Sequence, residues 1–148
     1  MIRRQENVIL DVITRIMVPF IQIFAFYVIF HGHYSPGGGF QGGALLAGSV
    51  FLQRVVMGRE RSLSGFHVKL GVPFGVIGIL VYGGTGLVAQ VFGGNYLQYE
   101  WLPFGLDPVW ARNTGILLVE IGVAFAVMGI LIAIYDNLSA REGEGEKR

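Results

Sequence analysis

The fold is decided by residues 114–135, which read TGILLVEIGVAFAVMGILIAIY and carry a single charged side chain, Glu120. Three other segments are also long, apolar and poor in charge: residues 9–30, 40–57 and 70–92. Each of the four approaches or exceeds the ~20 apolar residues that a helix needs to cross a bilayer. The pattern predicts an all-α integral membrane protein with four transmembrane helices.

The composition agrees with this prediction. Hydrophobic residues make up 53% of the chain and charged residues only 14%, with a mean hydropathy of +0.58. A soluble domain has about 25% charged residues, so water cannot be the main solvent. The chain has no Cys, which excludes a disulfide or an iron–sulfur cluster held by thiolates in this chain. Any redox chemistry would belong to a partner.

We expect one four-helix transmembrane domain over residues 1–138, followed by a short charged tail at 139–148. Its spans are predicted at about 9–30, 40–57, 70–92 and 108–138, the last beginning at the helix-start pair Asp107-Pro108. The second span is the weakest, because Gln53 and Arg54 shorten its apolar run. It requires that Arg54 reaches the interface or that the helix begins inside the preceding glycines. A three-span alternative stays open.

The positions of Lys and Arg predict the orientation. With four spans both termini lie on one side, and that side also holds the loop between spans two and three. Only Arg112 falls on the other side; the remaining basic residues are Arg3, Arg4, Arg15, Arg54, Arg59, Arg61, Lys69, Arg141, Lys147 and Arg148. By the positive-inside rule, the N- and C-termini are cytoplasmic.

Glu120 is the most informative polar residue of the fourth span. At ~1.5 Å per residue it lies roughly 20 Å from the inner end near Tyr135, in the outer half of the hydrocarbon. A carboxyl group there costs a few kcal/mol unless it pairs, meets water or takes up a proton. Glu120 is therefore a candidate proton or cation site. The alternative is a polar contact with a neighbouring subunit.

The first span carries a second polar group, in which Asp11, Arg15, Pro19 and Gln22 follow one another at helical spacing. Asp11 and Arg15 can pair at i, i+4 near the cytoplasmic edge, and Pro19 leaves the carbonyl of Arg15 without its helical donor. Two interpretations stay open. The group is either an interfacial ion pair with a packing kink, or part of a hydrated path.

Small residues predict where the helices touch, because helices in lipid associate closely through Gly and Ala. Three sets share one face of a helix: Gly71, Gly75, Gly78, Tyr82, Gly86 and Ala89 on the third span; Gly39, Gly43 and Ala47 on the second; and Gly115, Gly122 and Gly129 on the fourth, opposite Glu120. Both faces of the fourth span therefore need protein neighbours.

The segment between the first two spans, residues 31–43, reads HGHYSPGGGFQGG. Its glycines formally match a dinucleotide fingerprint, and His31 with His33 could begin a metal site. The dinucleotide interpretation does not fit, because no strand is predicted before the glycines. The metal interpretation does not fit, because two histidines would need further ligands at this outer edge of the membrane. We expect a hairpin of irregular backbone that dips into the membrane, which is tolerated only where protein or water surrounds it. We therefore expect no metal, no cofactor and no catalytic residue here.

This hairpin also resembles the MnhB/MrpB family of small membrane proteins from multisubunit Na+/H+ antiporters. The hallmark is a first helix followed by Gly-His and then by Pro-Gly-Gly-Gly-Phe and Gly-Gly. In this chain those residues are Gly32, His33, Pro36, Gly37, Gly38, Gly39, Phe40, Gly42 and Gly43. Chain length and the four-span topology agree with the family over nearly the whole sequence.

The resemblance implies an accessory, non-catalytic subunit in the cytoplasmic membrane of a prokaryote, with Na+ and H+ as the transported ions. Its partners would be lipid and other antiporter-module subunits, not nucleic acid. Related modules occur alone or in respiratory assemblies such as membrane-bound hydrogenases, where partner subunits carry an iron–sulfur redox arm. We expect the ion path to involve Glu120, His33, Asp11, Arg15 and Gln22, with Pro36 and Phe40 shaping the hairpin. A purely structural subunit and a self-sufficient small transporter or membrane enzyme are the alternatives.

Overall fold

The computed structural model describes residues 4–32, 37–57, 67–104 and 107–145, and these ranges contain helices, turns and loops but no strand. The long helices are α1 (Arg4–Phe30), α2 (Gly39–Met57), α3 (Gly71–Val91) and α4 (Pro108–Gly145). Each is long and apolar enough to cross a membrane. The predicted all-α fold with four membrane-spanning helices is confirmed.

The helix ends explain how the second span reaches its length. Gln53 and Arg54 shorten the apolar run at the end of α2. The helix still reaches a spanning length because it begins at Gly39, inside the glycine run. Helix α4 begins at Pro108, as predicted, and the N–H of Ala111 donates to the carbonyl of Asp107 at 3.0 Å. At its other end α4 runs on to Gly145, into the segment expected to be a tail. Helix α1 continues through Pro19.

The four helices stand in a row in the order α1, α2, α4, α3. Helix α2 packs against α1 and α4, whereas α3 packs against α4 and not against α1 or α2 within the described residues. Helix α1 meets α4 only at a few positions. The last helix of the chain is therefore inserted between the second and the third, and both of its faces are covered by the same chain.

The seam between α3 and α4 is antiparallel and made of small residues. Gly71 lies against Gly129 and Ala133, and Gly78 lies against Gly122 and Ala126. A Cβ added at Gly78 would come within 2.5 Å of the carbonyl oxygen of Gly122. The backbones are in direct contact, so the predicted glycine stripe of the third span is a helix-packing surface.

The seam between α2 and α4 is parallel. Gly39 lies against the backbone of Glu120, and one turn further Gly43 lies against Ala124, where an added Cβ would be 2.5 Å from the carbonyl oxygen. Beyond them an apolar cluster of Ala47, Val50 and Ile132 fills the seam. These contacts follow the four-residue ridges of both helices.

The outer surfaces of the row are apolar and exposed, most of all on α1. Phe20, Ile23 and Phe24 are more than half exposed. The fully buried core is correspondingly small and consists mainly of Ala and β-branched residues in the seams. This distribution is what a chain surrounded by lipid and partner helices requires, since lipid and helices favour the same apolar surface.

Candidate ion site at Glu120

The carboxylate of Glu120 lies against the backbone of Gly32, just after α1, and of Gly38, just before α2. A Cβ built at Gly32 would be 2.6 Å from both of its oxygens, and one built at Gly38 would be 3.5 Å from Oε1. At Gly39 an added Cβ would overlap the carbonyl group of Glu120 itself. Gly32 and Gly39 leave no room for a Cβ, so peptide groups rather than side chains lie next to the carboxylate on this side.

Gly38 also meets a conformational requirement. Its φ is +121°, a value that L side chains rarely adopt. Gly38 immediately precedes α2, and the N–H of Gly42 donates to the carbonyl of Gly38 at 3.0 Å. The glycine run thus begins α2 and shapes the wall beside Glu120 at the same time.

The loop between α3 and α4 approaches the same region with two tyrosines. The ring of Tyr96 packs on Gly86 of α3, and that of Tyr99 packs on Gly115, which precedes Glu120 on α4. The pKa of Tyr99 is raised by burial and further by its proximity to Tyr82, Tyr96 and the Glu120 carboxylate. The phenol therefore stays protonated at neutral pH and remains a hydrogen-bond donor.

Not every hairpin residue singled out from the sequence lies beside Glu120. His33 and Pro36 fall outside the described residues. Gly37 and Gly42 face α1, at Val28 and Ile29 respectively. Phe40 is 66% exposed and lines an open groove between α1 and α2, so within this chain it does not pack into the hairpin.

The polar residues of α1 form two separate groups, neither of which joins Glu120. Asp11 and Arg15 make the predicted i, i+4 pair at 3.2 Å, with Arg15 largely exposed. Gln22 donates to the hydroxyl of Ser49 on α2 at 3.3 Å, and Ser49 donates to the carbonyl of Leu46. One group lies on the surface and the other bridges the seam between α1 and α2.

The structure also contains a buried ion pair that the sequence pattern does not predict. Arg54 of α2 donates to Asp136 of α4, and their side chains are 1% and 2% exposed. Arg54 therefore does not reach out to the interface. A signal is present in the sequence, because Arg54 and Asp136 carry opposite charges near the same end of two spans. It is easily missed, since a charge near a helix end usually faces solvent.

The described residues contain no group of three His, Cys, Asp or Glu side chains that could hold a metal ion. The candidate ion-binding groups inside the fourth span are two carboxylates: Glu120 beside glycine backbone, and Asp136 paired with Arg54. Such groups can bind or release a proton or bind a monovalent cation.

Comparison with known proteins identifies the family. The family described as "Domain related to MnhB subunit of Na+/H+ antiporter" matches residues 9–133. Relatives named "Putative antiporter subunit mnhB2" from Staphylococcus aureus strains Newman, JH1 and COL are 31% identical over 139 residues, covering 92% of this chain and 96% of theirs. The four apolar helices and this similarity describe a multi-pass membrane protein. The chain therefore belongs to the family related to the MnhB subunit of Na+/H+ antiporters.

Proposed function

We propose that this chain is an accessory subunit of a Na+/H+ antiporter module and that Glu120 takes part in the passage of protons or cations. The observation that carries the proposal is the position of the Glu120 carboxylate, in a membrane-spanning helix and against the backbone of Gly32 and Gly38. Irregular backbone at membrane depth is typical of sites where peptide groups replace the hydration of an ion.

The glycine wall supports this role physically. Peptide dipoles next to a carboxylate can stabilise its charged form, and they can also bind a cation that approaches it. The absence of a side chain at Gly32 lets its backbone come this close to the carboxylate. A carboxylate that binds either a proton or a cation can couple the two, because the ions then compete for one site.

The test is Na+-dependent proton transport in membrane vesicles that hold the intact complex. We expect Glu120→Gln to abolish or strongly reduce transport while native gels show unchanged assembly. Glu100→Gln is the matched control, because Glu100 is an exposed carboxylate on the α3–α4 loop that pairs with Arg112. Unchanged transport in Glu120→Gln would overturn the role of Glu120 and leave this chain as a structural subunit.

The remaining polar residues enter the proposal as a second group. We propose that Asp11 with Arg15, Gln22 with Ser49, and His33 border further polar regions of the complex. Since Asp11–Arg15 and Gln22–Ser49 lie apart from Glu120 in this chain, a continuous path through all of them would need polar groups from partner subunits. Na+ and H+ are the transported ions in this proposal, and the chain itself has no catalytic step.

The partners are proposed to be other membrane subunits of the antiporter module. The module stands alone or belongs to a respiratory complex of the hydrogenase type, in which partners hold iron–sulfur clusters. Gentle purification of the tagged chain followed by mass spectrometry distinguishes these settings, since only the second yields cluster-binding subunits. Recovery of the chain without partners would contradict the proposed membership of a complex.

We also propose that the complex lies in the cytoplasmic membrane of a prokaryote with both termini of this chain inside. The chain has no Cys, so one introduced thiol marks one place in it. A thiol near either terminus should react with a membrane-impermeant maleimide in inside-out vesicles and be protected in right-side-out vesicles. The opposite result would reverse the orientation.

A further inference from the structure

The buried pair of Arg54 and Asp136 lies at the opposite end of the α2–α4 seam from Glu120. Gly39 contacts Glu120 at one end of the seam, and Arg54 pairs with Asp136 at the other end. About 22 Å of α2 separates Gly39 from Arg54 at ~1.5 Å per residue. The apolar cluster of Ala47, Val50 and Ile132 fills the interval.

The small residues of this seam resist a slide of one helix along the other in one direction only. On α2 the contact positions Gly39, Gly43 and Ala47 recur every four residues, and on α4 Glu120 and Ala124 follow the same spacing. A slide by one turn, ~5.4 Å, that brings Ala47 to the place of Gly43 is opposed, because a Cβ there would lie 2.5 Å from the carbonyl oxygen of Ala124. The opposite slide brings Gly39 to that place and again sets a glycine against backbone. The small residues alone therefore do not fix the register.

The ion pair does not share this ambiguity. Arg54 and Asp136 join α2 to α4 through opposite charges, and with both side chains almost fully buried a slide by one turn would separate the charges inside apolar surroundings. Replacing a buried ion pair by apolar residues is often neutral for stability, whereas setting a register is the best-attested use of such groups. Its position therefore indicates a role in register rather than in stability.

We propose that Arg54 and Asp136 are positioning residues for the Glu120 site, because their ion pair fixes the axial register of α2 against α4. Helix α2 is continuous from Gly39 to Met57, so an axial shift at Arg54 appears in full at Gly39. The hairpin glycines would then no longer face the carboxylate of Glu120. This inference rests on the proposed function of Glu120, but its structural part can be tested without it.

The experiment compares two double variants in the intact complex. Arg54→Met with Asp136→Leu removes both charges of the pair. Arg54→Asp with Asp136→Arg reverses the pair and keeps it. The matched control is Arg112→Gln with Glu100→Gln, which removes an exposed pair on the loop.

Register is measured by cross-linking, and the site by transport kinetics. Phe51 of α2 and Tyr135 of α4 stack with ring centroids 4.7 Å apart, so Phe51→Cys and Tyr135→Cys report their alignment through a short bifunctional thiol reagent, with the reactive thiols of partner subunits replaced. We expect the apolar variant to lose cross-linking and to raise the apparent KM for Na+ by about tenfold, the order expected for a misplaced site. The reversed pair should restore both, and the control should change neither.

Two outcomes are decisive against the proposal. One is an apolar variant that assembles with wild-type cross-linking and wild-type Na+ dependence. The other, if the apolar variant does not assemble, is a reversed pair that assembles but cross-links as poorly as Phe51→Cys alone. If Glu120→Gln is silent while cross-linking still depends on the pair, the proposed function of Glu120 fails and the register assignment stands.

Discussion

The two faces of α4 are packed by different means. Toward α3 the seam is antiparallel and relies on glycine and alanine, with Gly122 and Gly129 in backbone contact. Toward α2 the seam is parallel, has an acid at each end and includes a buried ion pair. Shape alone can thus join two helices, whereas charge is added where one particular alignment is needed.

The most damaging single change in the polar seam is expected to be Asp136→Asn. This change leaves the charge of Arg54 in an apolar seam without its carboxylate, and we expect a loss of about 3–5 kcal/mol of stability. The measurement is the melting temperature of the detergent-solubilised complex, supported by native gels. Glu100→Gln, which breaks the exposed pair with Arg112, should cost less than about 1 kcal/mol. Equal losses of stability in the two variants would show that the buried pair contributes no more than the exposed pair.

The small-residue seam should break at Gly78. A Cβ there overlaps the backbone of Ala126 and Gly122, so Gly78→Ala is expected to cost about 1–3 kcal/mol, as overpacking does. The control lies on the same helix, because Gly83 has open space where its Cβ would stand. Gly83→Ala should therefore be neutral or slightly stabilising. Thermal unfolding of the two variants side by side decides between packing and mere helix propensity.

Gly32→Ala tests the polar seam at the candidate site. The added methyl would overlap the Cα of Gly38, 2.5 Å from the position of the Cβ, and the Glu120 carboxylate, whose oxygens lie at 2.6 Å. We expect about 1–3 kcal/mol of destabilisation, because the backbone at Gly38 has to shift as well as the carboxylate, and a severalfold fall in Na+-dependent proton transport. Gly48→Ala on α2, where nothing lies within 4 Å, should leave transport unchanged. A transport rate unaffected by Gly32→Ala would argue that the carboxylate's position does not matter.

The smallest effect is expected at Asp11. Its pair with Arg15 lies on the exposed face of α1, where an i, i+4 pair contributes about 0.3–0.5 kcal/mol. Asp11→Asn should change the melting temperature barely and leave assembly intact. A strong loss of transport in this variant would instead show that the pair borders an ion path completed by a partner.

The sequence was sufficient for the parts of the fold that depend on length and periodicity. Four spans, the start of α4 at Pro108 and the small-residue faces follow from apolar runs and helical spacing, which are local properties. The position of α4 between α2 and α3 does not follow from them, because several helix orders can bury the same stripes. That order depends on which glycines match in three dimensions.

The candidate site could be predicted only in part for a similar reason. Glu120 stands out because a charge is rare in an apolar run. The contact of its carboxylate with Gly32 and Gly38 joins residues far apart in the chain, and nothing in their spacing indicates it. Asp136 does not stand out, because its partner, Arg54, lies on another helix and a pairing across helices leaves no local pattern.

The single-file arrangement of the helices has a consequence for insulation. In a bundle that closes on itself, some surface is screened from the lipid on every side. In a row, each helix also belongs to the outer wall, so the part of the chain that the structure describes is flat, with two broad sides and no enclosed lumen. An aqueous route beside Glu120 is then bounded on one side by these helices, and its other side falls to the remaining residues or to a neighbouring molecule.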